Sequence, residues 1–560
     1  MWYKLISVAL LALISGSIID NAPDFSALIS RKPSALAAQK EARKELLERG
    51  TPGHNQLFAR DSSDKKFYNN KTSEFFIESL PDVPYDLGEI YSGLIPIDYN
   101  NQSEALFFVF QPKLGEPSED ITIWLNGGPG CSSLGGWLQE NGLWTWKSGT
   151  LQPALNPYSW VNLTNMLWVE QPIGTGFSTG TPKATTQEET AQDFIKWFKN
   201  FQDIFGISHY KIFVSGESYA GRYVSYISAA MLDEQNTTYY NLSGEGRPIV
   251  RSNEEGQADV GLGALIYDPV IGEFDVVQRQ MTTYPLVEAN SNLFNFNATV
   301  MAELKQYHES CGFKDYIDKY LQFPPPEKQP PMLFNRSDNA SLMCDLFDGV
   351  MYLEIQVNPC FNVYEINSMC PLQWDVLGMP TGFSYAPGPV YFNRSDVKAA
   401  MHAPQNVDWI KCSPDPVYVG GYAGPQWQGD LSADPIQKVL PQVIEATNRV
   451  LISNGNYDMA IITNGTLLSI QNMTWNGQLG FQSAPSEEVY IDIIDTQWSA
   501  VYEANGLPGF PGPQTTMGIQ HYEHGLMWVE TFQAGHMQPQ YQPRMAYRHL
   551  QWLLGHVDKI

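Results

Sequence analysis

Short apolar runs alternate with longer amphipathic segments through the first half of the chain. Apolar residues recur at helical spacing over 186–205, and a second helix is predicted over 219–232, after the apolar run 211–214. Other apolar runs are bounded by turn residues, which is the pattern of buried strands. These predicted strands are 107–110, 121–125, 166–169 and 263–266. The alternation predicts an α/β fold with a mostly parallel central sheet and helices on both faces.

The alternation stops near residue 272 and resumes at the apolar run 450–453. The segment between them contains four of the six cysteines and a run of three prolines. We interpret residues 272–400 as a disulfide-bearing insertion that covers one end of the sheet. A late strand and a closing helix are predicted at 528–532 and 542–554. The predicted core therefore has two parts, 56–271 and 401–560.

The first 55 residues do not follow this pattern. Lys4, an apolar stretch over 5–14 and small residues at 15–17 predict a signal peptide over 1–17. Residues 18–55 are rich in Ala, Lys, Arg and Glu, which favours a propeptide or flexible extension. The apolar stretch is short for a membrane span, and no anchor-type tail ends the chain. We expect a secreted protein without a membrane anchor, and a vacuolar destination is the alternative.

The composition supports a large core and argues against some partners. Hydrophobic residues make up 43% of the chain and charged residues only 17%, which is typical of a folded globular protein. The net charge of −26 argues against nucleic acid, because phosphate binding needs clustered Lys and Arg. None of the six cysteines forms a Cys-x-x-Cys pair. We therefore expect no metal site, and no cofactor.

Two features predict passage through the secretory pathway. The even number of cysteines permits three disulfides in an oxidising compartment. The chain also contains eleven Asn-x-Ser/Thr sequons, which mark candidate glycosylation sites. They start at Asn70, Asn101, Asn162, Asn236, Asn241, Asn297, Asn335, Asn339, Asn393, Asn464 and Asn472.

A candidate nucleophile lies between the predicted strand 211–214 and the helix after it. The run 216–221, GESYAG, has small residues on both sides of Ser218, as a tight strand-to-helix elbow requires. In the general elbow pattern a glycine lies two places after the serine, and here Ala220 has that place with Gly221 next. The short pattern alone also fits an ordinary glycine-rich turn.

An acid and a histidine follow this serine in the order that the elbow fold requires. A serine hydroxyl needs a nearby base, and in this fold the acid precedes the histidine along the chain. Asp458 lies in the turn after the predicted strand 450–453, and His536 follows the late strand over 528–532. Together with Ser218 they form a candidate catalytic triad.

These residues carry a resemblance to the serine carboxypeptidases of the carboxypeptidase Y type, an α/β-hydrolase family. Four runs are similar to family motifs and occur in the family's order: 124–133, 171–178, 216–221 and 535–537. The turn at Asp458 is a looser fifth match. The resemblance spans roughly residues 80 to 550, and the secreted fungal members are the expected neighbours. It implies an α/β-hydrolase whose insertion covers the active-site end.

The resemblance assigns roles to the matching residues. It implies that Ser218 is the nucleophile, that His536 is the general base and acid, and that Asp458 orients the histidine. The backbone N–H groups of Gly128 and Tyr219 would form the oxyanion hole. Glycine at position 128 lets the backbone approach the substrate closely.

The same resemblance implies a binding site for the C-terminal carboxylate of a peptide or protein substrate, which we call the carboxylate grip. The residues implied are Asn126, Gly127, Glu140 and Glu217. Two glutamates and an anion cannot all stay ionised at close range, so at least one carboxyl pKa rises and its proton can bind the substrate. We expect peptide hydrolysis to be favoured in acid, and ester hydrolysis to continue at higher pH. Met537 and Tyr219 are expected to contact the substrate.

The cysteines and three departures complete the comparison. The resemblance implies a Cys131–Cys412 disulfide, and for the other four we predict nested pairing, Cys311–Cys370 and Cys344–Cys360, among three options. Asn456 lies where the family usually has Asp, and Tyr267-Asp268 lies where Asn often follows Gly. Ile461 replaces a free cysteine of some relatives, so we expect weak sensitivity to thiol reagents.

Two other functions fit parts of the sequence. An esterase, lipase or acyltransferase can share this fold, but it needs no grip on a carboxylate. A non-catalytic binding glycoprotein is expected to have lost part of the triad, and all three residues are present. The sequence therefore favours a serine carboxypeptidase that acts through an acyl-enzyme.

Overall fold

The computed structural model of the protein describes residues 65–240, 262–331, 344–370, 373–378, 388–421, 429–491 and 516–560. The predicted signal peptide over 1–17 and the predicted extension over 18–55 lie outside these residues. So do the sequons at Asn241, Asn335 and Asn339. Within the described ranges, no helix has the length and apolarity needed to cross a membrane.

The described part of the chain contains a ten-stranded sheet with the strand order β1-β2-β4-β3-β5-β6-β7-β10-β9-β8. The strands are β1 (Tyr91–Asp98), β2 (Asn101–Gln111), β3 (Asp120–Leu125), β4 (Asn165–Glu170), β5 (Lys211–Glu217), β6 (Leu262–Tyr267), β7 (Val450–Gly455), β8 (Glu487–Tyr490), β9 (Thr516–Glu523) and β10 (Leu526–Thr531). The six strands from β4 to β10 in this order run parallel. Antiparallel strands flank them on both sides.

Helices connect and cover the strands. They are α1 (Leu134–Gly136), α2 (Gln187–Phe205), α3 (Ala220–Glu234), α4 (Met281–Ala289), α5 (Ser291–Phe294), α6 (Ala298–Ser310), α7 (Phe313–Tyr320), α8 (Leu346–Val357), α9 (Ser395–Ala400), α10 (Val439–Thr447), α11 (Thr463–Gln471), α12 (Gln538–Tyr541) and α13 (Pro543–Leu553). The helix α2 begins after Thr186, whose side chain accepts a hydrogen bond from the Glu189 N–H, and ends at Gly206 with φ of +68°.

Alternate residues of the parallel strands supply two cores. Ile123 of β3 and Ile266 of β6 belong to the core that also contains residues of α2, α3 and α10. Their neighbours Trp124 and Tyr267 point to the opposite face, since side chains alternate along a strand. There Tyr267 contacts His549 of α13 at 3.2 Å. The predicted fold class, a mostly parallel sheet with helices on both faces, is confirmed.

The predicted insertion contains a hydrophobic cluster of its own. This cluster draws most members from residues 276–366, and it also includes Met459 and Ile462. The Met459 N–H donates to the Val363 carbonyl at 3.0 Å, and the Ile366 N–H donates to the Tyr457 carbonyl at 3.0 Å. The segment 363–366 therefore packs directly on the turn that contains Asp458.

The disulfides correct one prediction. Cys131 pairs with Cys412 as expected, but the nested pairs Cys311–Cys370 and Cys344–Cys360 are wrong. The structure contains Cys311–Cys344 and Cys360–Cys370, with Cα separations of 5.7 and 5.2 Å. The reason lies in local folding: the Asn358 side chain donates to the Ser368 carbonyl, and this contact brings 358–360 beside 368–370. With this pairing the chain has no free cysteine.

Candidate active site

Ser218 lies in a strained turn between β5 and α3. Its φ is +66°, and its N–H donates to the Tyr267 carbonyl at 2.9 Å. An added Cβ at Gly216 would lie 2.3 Å from the Leu125 carbonyl oxygen, and one at Gly221 would lie 2.6 Å from the Val270 carbonyl oxygen. Glycine is therefore required on both sides of the serine. Such a turn holds the serine at the carboxyl end of the strand.

Asp458 and His536 meet at the same end of the sheet. Asp458 is fully buried, and its Oδ2 lies 2.7 Å from Nδ1 of His536. The backbone N–H groups of Ala460 and Ile461 also donate to the Asp458 carboxylate, at 2.7 and 3.2 Å. These bonds fix the carboxylate against the imidazole.

The insertion supports the loop that carries His536. The His536 N–H donates to the Tyr364 carbonyl at 2.8 Å, and the two rings lie 5.1 Å apart, centroid to centroid. An added Cβ at Gly535 would lie 2.0 Å from the same carbonyl and 2.2 Å from a Glu365 carboxylate oxygen. The small residue before the histidine is therefore needed for this close contact. Met537, predicted to contact substrate, is half-buried next to it.

The glycine-rich run places backbone against the serine. An added Cβ at Gly127 would lie 2.5 Å from the Tyr219 nitrogen and 2.7 Å from the Ser218 Cβ. Gly128 has a φ of +110°, which L side chains rarely adopt. The Cys131–Cys412 disulfide joins this run to the second half of the chain. The structure therefore brings Gly127, Gly128, Ser218 and Tyr219 to one place.

Asn126, Glu140 and Glu217 form a buried polar cluster. The Asn126 Nδ2 donates to Glu217 Oε1 at 2.7 Å and to Glu140 Oε1 at 3.2 Å. Its Oδ1 accepts from the Trp124 Nε1 at 2.9 Å, which fixes the amide orientation. The Oε2 atoms of both glutamates are buried, and no protein group hydrogen-bonds to either. A buried carboxylate oxygen without a hydrogen-bond partner costs free energy, and two of them in one cluster beside the candidate nucleophile make this a candidate site for a ligand.

Burial raises the pKa of both Glu140 and Glu217 above the ordinary range. The negative charge of Glu140 raises the pKa of Glu217 further. Glu217 therefore retains a proton in acid and can donate it. The direction of both pKa shifts is the one that binding of a substrate carboxylate at this cluster requires.

A second buried network surrounds the Tyr219 side chain, and no sequence motif marks it. The Tyr219 hydroxyl donates to Asp430 and accepts from the Gln187 Nε2, the latter at 3.1 Å. Asp430 also accepts from the Ser432 N–H at 2.9 Å and lies 3.6 Å from Arg222. These residues come from three separate segments, so only the folded chain brings them together.

The chain is similar to known proteins over most of its length. A family model described as serine carboxypeptidase matches residues 82–556. Serine-type carboxypeptidase F of Aspergillus niger is 59% identical over 499 residues, 89% of this chain and 90% of that protein. A probable serine carboxypeptidase of Arthroderma benhamiae is 39% identical and covers 88% of each chain. A prohormone-processing carboxypeptidase from Saccharomyces cerevisiae shares the fold, with a TM-score of 0.62, 22% identity and coverage of 87% of this chain and 96% of that one.

A mostly parallel sheet with an elbow serine and a following acid–histidine pair defines an α/β-hydrolase. Within that class, the chain belongs to the serine carboxypeptidase family and is a serine-type carboxypeptidase. The predicted fold and activity are thereby confirmed. The family assignment also favours a peptidase over the esterase, acyltransferase and binding glycoprotein considered as alternatives.

Proposed function

We propose that this protein removes single amino acids from the C-terminus of peptides and proteins through an acyl-enzyme on Ser218. The observation that carries the proposal is the buried cluster of Asn126, Glu140 and Glu217 beside the elbow. Glu217 directly precedes Ser218, so a carboxylate bound at this cluster lies close to the nucleophile. The unpartnered Oε2 atoms are free to bind it when a proton is present.

The reaction follows from this geometry. The Ser218 Oγ attacks the last peptide carbonyl while His536 takes its proton, and Asp458 holds the imidazole through Nδ1. The N–H groups of Gly128 and Tyr219 bind the oxyanion. His536 then protonates the leaving amine, which departs as the free C-terminal amino acid. Water hydrolyses the acyl-enzyme with His536 as base, and the serine is restored.

The carboxylate grip makes peptide hydrolysis depend on acid. Below the raised pKa of Glu217 the cluster donates a proton to the substrate carboxylate. As the pH rises through that pKa the donor is lost, and two negative carboxylates repel the substrate. KM for peptides should rise with pH, whereas an ester without a free carboxylate should be unaffected by this loss.

Two variants test the grip. Glu140→Gln and Glu217→Gln are isosteric and cannot ionise, so the double variant should lose the rise of KM for an N-blocked dipeptide between pH 5 and 8. Activity on an N-blocked amino-acid ester should stay within about threefold of the parent, because the triad is intact. Liquid chromatography of the released amino acid measures dipeptide hydrolysis, and a colorimetric assay measures ester hydrolysis. An unchanged pH profile for dipeptides would contradict the grip.

The C-terminal amide of the same N-blocked dipeptide is the matched control substrate for the dipeptide with a free carboxylate. It lacks the free carboxylate, so kcat/KM should fall by about a hundredfold or more relative to the free acid. Equal hydrolysis of both substrates would show an endopeptidase or esterase instead. Ser218→Ala should abolish both reactions.

We also propose that the protein is secreted and glycosylated. The Asn70, Asn101 and Asn236 side chains are exposed and accessible to a glycan. Asn393 differs, because its amide bonds to the Trp409 carbonyl and N–H at 2.8 and 2.6 Å. We expect glycans at the first three sites and none at Asn393. Peptide mapping by mass spectrometry of protein from the culture medium tests this, and a glycan on Asn393 would contradict it.

A further inference from the structure

The last residue of β4, Glu170, is a buried acid that neither the triad nor the carboxylate grip uses. Its Oε1 accepts hydrogen bonds from the Ser132 hydroxyl and from the Trp409 Nε1, the latter at 3.0 Å. Its Oε2 accepts from the Phe177 N–H at 2.6 Å. A buried carboxyl costs free energy unless its oxygens are bonded. Here three donors from three separate segments of the chain bond to one side chain.

Ser132 lies at the far end of the glycine-rich run that supplies the proposed oxyanion donor. Within this run, the Cys131 N–H donates to the Gly127 carbonyl at 3.0 Å. An added Cβ at Gly128 would lie 2.7 Å from the Cys131 nitrogen, so the backbone of residue 128 lies directly against Cys131. The residue that Glu170 holds is therefore the chain neighbour of the residue on which the proposed donor packs.

The disulfide of this run does not by itself place the run on the sheet. It joins two loops to each other, and the Ser132 N–H donates to the Lys411 carbonyl at 2.8 Å in the same pairing. Glu170 bonds to both loops, through Ser132 in one and Trp409 in the other. Because β4 is paired on both sides, its last residue fixes the two loops to the sheet that also carries Ser218.

The next residue, Ser133, has different partners. Its hydroxyl donates to the Val169 carbonyl at 2.7 Å and accepts from the Asn126 N–H at 3.1 Å. Ser133 therefore holds the end of the run that carries Asn126 of the carboxylate grip. The contact between Ser132 and Glu170 holds the other end, so the two contacts can be tested separately.

We propose that Glu170 is a positioning residue for the oxyanion donor: through the Ser132 hydroxyl it holds the backbone of residues 128–131 against the elbow. The inference rests on the proposed function, which assigns an oxyanion donor to the Gly128 N–H. Such a donor lowers the barrier only if it is in place before the negative charge develops. Burial raises the pKa of Glu170 to about 7. The contact does not depend on the charge, because a serine hydroxyl can donate to a carboxylate or accept from a carboxylic acid.

Ser132→Ala tests the contact with the smallest change. The variant removes the hydroxyl that joins the run to Glu170 and leaves the bonds from Trp409 and Phe177 in place. We expect kcat to fall by about five- to thirtyfold, less than the roughly hundredfold or greater loss that follows from removal of a whole oxyanion donor. The fall should be equal for an N-blocked dipeptide and an N-blocked amino-acid ester, since both form the same oxyanion, and KM should change less than about twofold. Initial rates over a range of substrate concentrations at acidic pH give both constants.

Ser178→Ala is the matched control. Ser178 is also a buried serine that bonds to Glu170, but its hydroxyl donates to the backbone carbonyl at 2.5 Å and accepts from the Phe107 N–H at 2.8 Å. This variant should lower the melting temperature and leave kcat within about twofold of the parent. Equal losses of kcat in Ser132→Ala and Ser178→Ala would reduce Ser132 to a structural role and overturn the inference.

Two changes at Glu170 complete the test. Glu170→Gln still offers the Ser132 hydroxyl a partner, so kcat should stay within about threefold of the parent even though a neighbouring N–H group loses its acceptor. Glu170→Ala removes that partner, so it should lower kcat as much as Ser132→Ala, and the double variant should lower it no further. Additive losses would show that the two residues act separately, against the inference. If Glu170→Ala does not fold, the comparison of Ser132→Ala with Ser178→Ala still decides the question.

The two substrates separate failure of this inference from failure of the proposed function. A loss in Ser132→Ala that is confined to the dipeptide and raises its KM would mean that the change displaces Asn126 instead of the oxyanion donor. That result, or an unchanged kcat on both substrates, would overturn the inference. Failure of the proposed function would appear in the parent enzyme, as equal hydrolysis of the dipeptide and of its C-terminal amide.

Discussion

Tyr219 has two parts with different partners. Its backbone N–H is a proposed oxyanion donor, and its hydroxyl is held by Asp430 and Gln187 in a buried network. Arg222, one turn further along α3, joins the same network through Asp430 and Asp434. An oxyanion donor acts only if it is already in place when the negative charge develops. The hydroxyl network therefore orients the residue that supplies the donor.

Tyr219→Phe should show whether the hydroxyl orients the oxyanion donor, which affects kcat, or contributes to substrate binding, which affects KM. Loss of the hydroxyl leaves Asp430 with one donor fewer and frees the ring, so kcat should fall by about three- to thirtyfold, while KM changes less than about twofold. Stopped assays on an N-blocked dipeptide at acidic pH measure both constants.

Tyr226→Phe provides the matched control, since its hydroxyl donates to the nearby Ala433 carbonyl at 2.8 Å from the same helix. This variant should lose stability with an unchanged kcat. Equal losses of kcat in both variants would reduce the Tyr219 hydroxyl to a structural role.

The central strands could be predicted from the sequence because both of their faces are buried. Their apolar runs are therefore continuous, as in β3 and β7, where nearly every residue is buried. The two outermost strands were missed: β1 contains Gly93 and Pro96, and β8 exposes three of its four residues. Both patterns are typical of edge strands and resemble loops in a sequence.

As with the strands, some residues of the site could be predicted from the sequence and others could not. Ser218 could be placed because the backbone of a tight elbow restricts its neighbours, and Asn126 because it lies in a run that resembles a family motif. Asp430 and Glu365 lie in no motif, and their roles depend on contacts between segments far apart in the chain. The cysteine pairing of the insertion was wrong for a different reason: a local contact of Asn358 brings Cys360 beside Cys370, and no motif marks that contact.

At the scale of the whole molecule, buried acids connect stability to pH. Burial raises the pKa of Glu170 and Glu354 to about 7 and that of Glu365 to about 8. Each folded-state pKa lies above the unfolded value near 4. Such a group contributes stability fully below the unfolded pKa, and this contribution is lost as pH rises through the folded pKa. A net charge of −26 adds repulsion in the same direction.

The melting temperature should therefore fall between pH 5 and pH 8, and buried glutamates should account for part of the slope. Glu354→Gln and Glu365→Gln remove one titrating group each, so each variant should flatten the fall by about one to three degrees. Differential scanning calorimetry at fixed ionic strength measures it. Glu116 is exposed, so Glu116→Gln removes one charge without removing a buried acid and should retain the parent slope. The proposed grip also binds substrate in acid, so stability and substrate binding would favour the same pH range. If all three variants keep the parent slope, burial of these carboxyls is not the cause of the greater stability in acid.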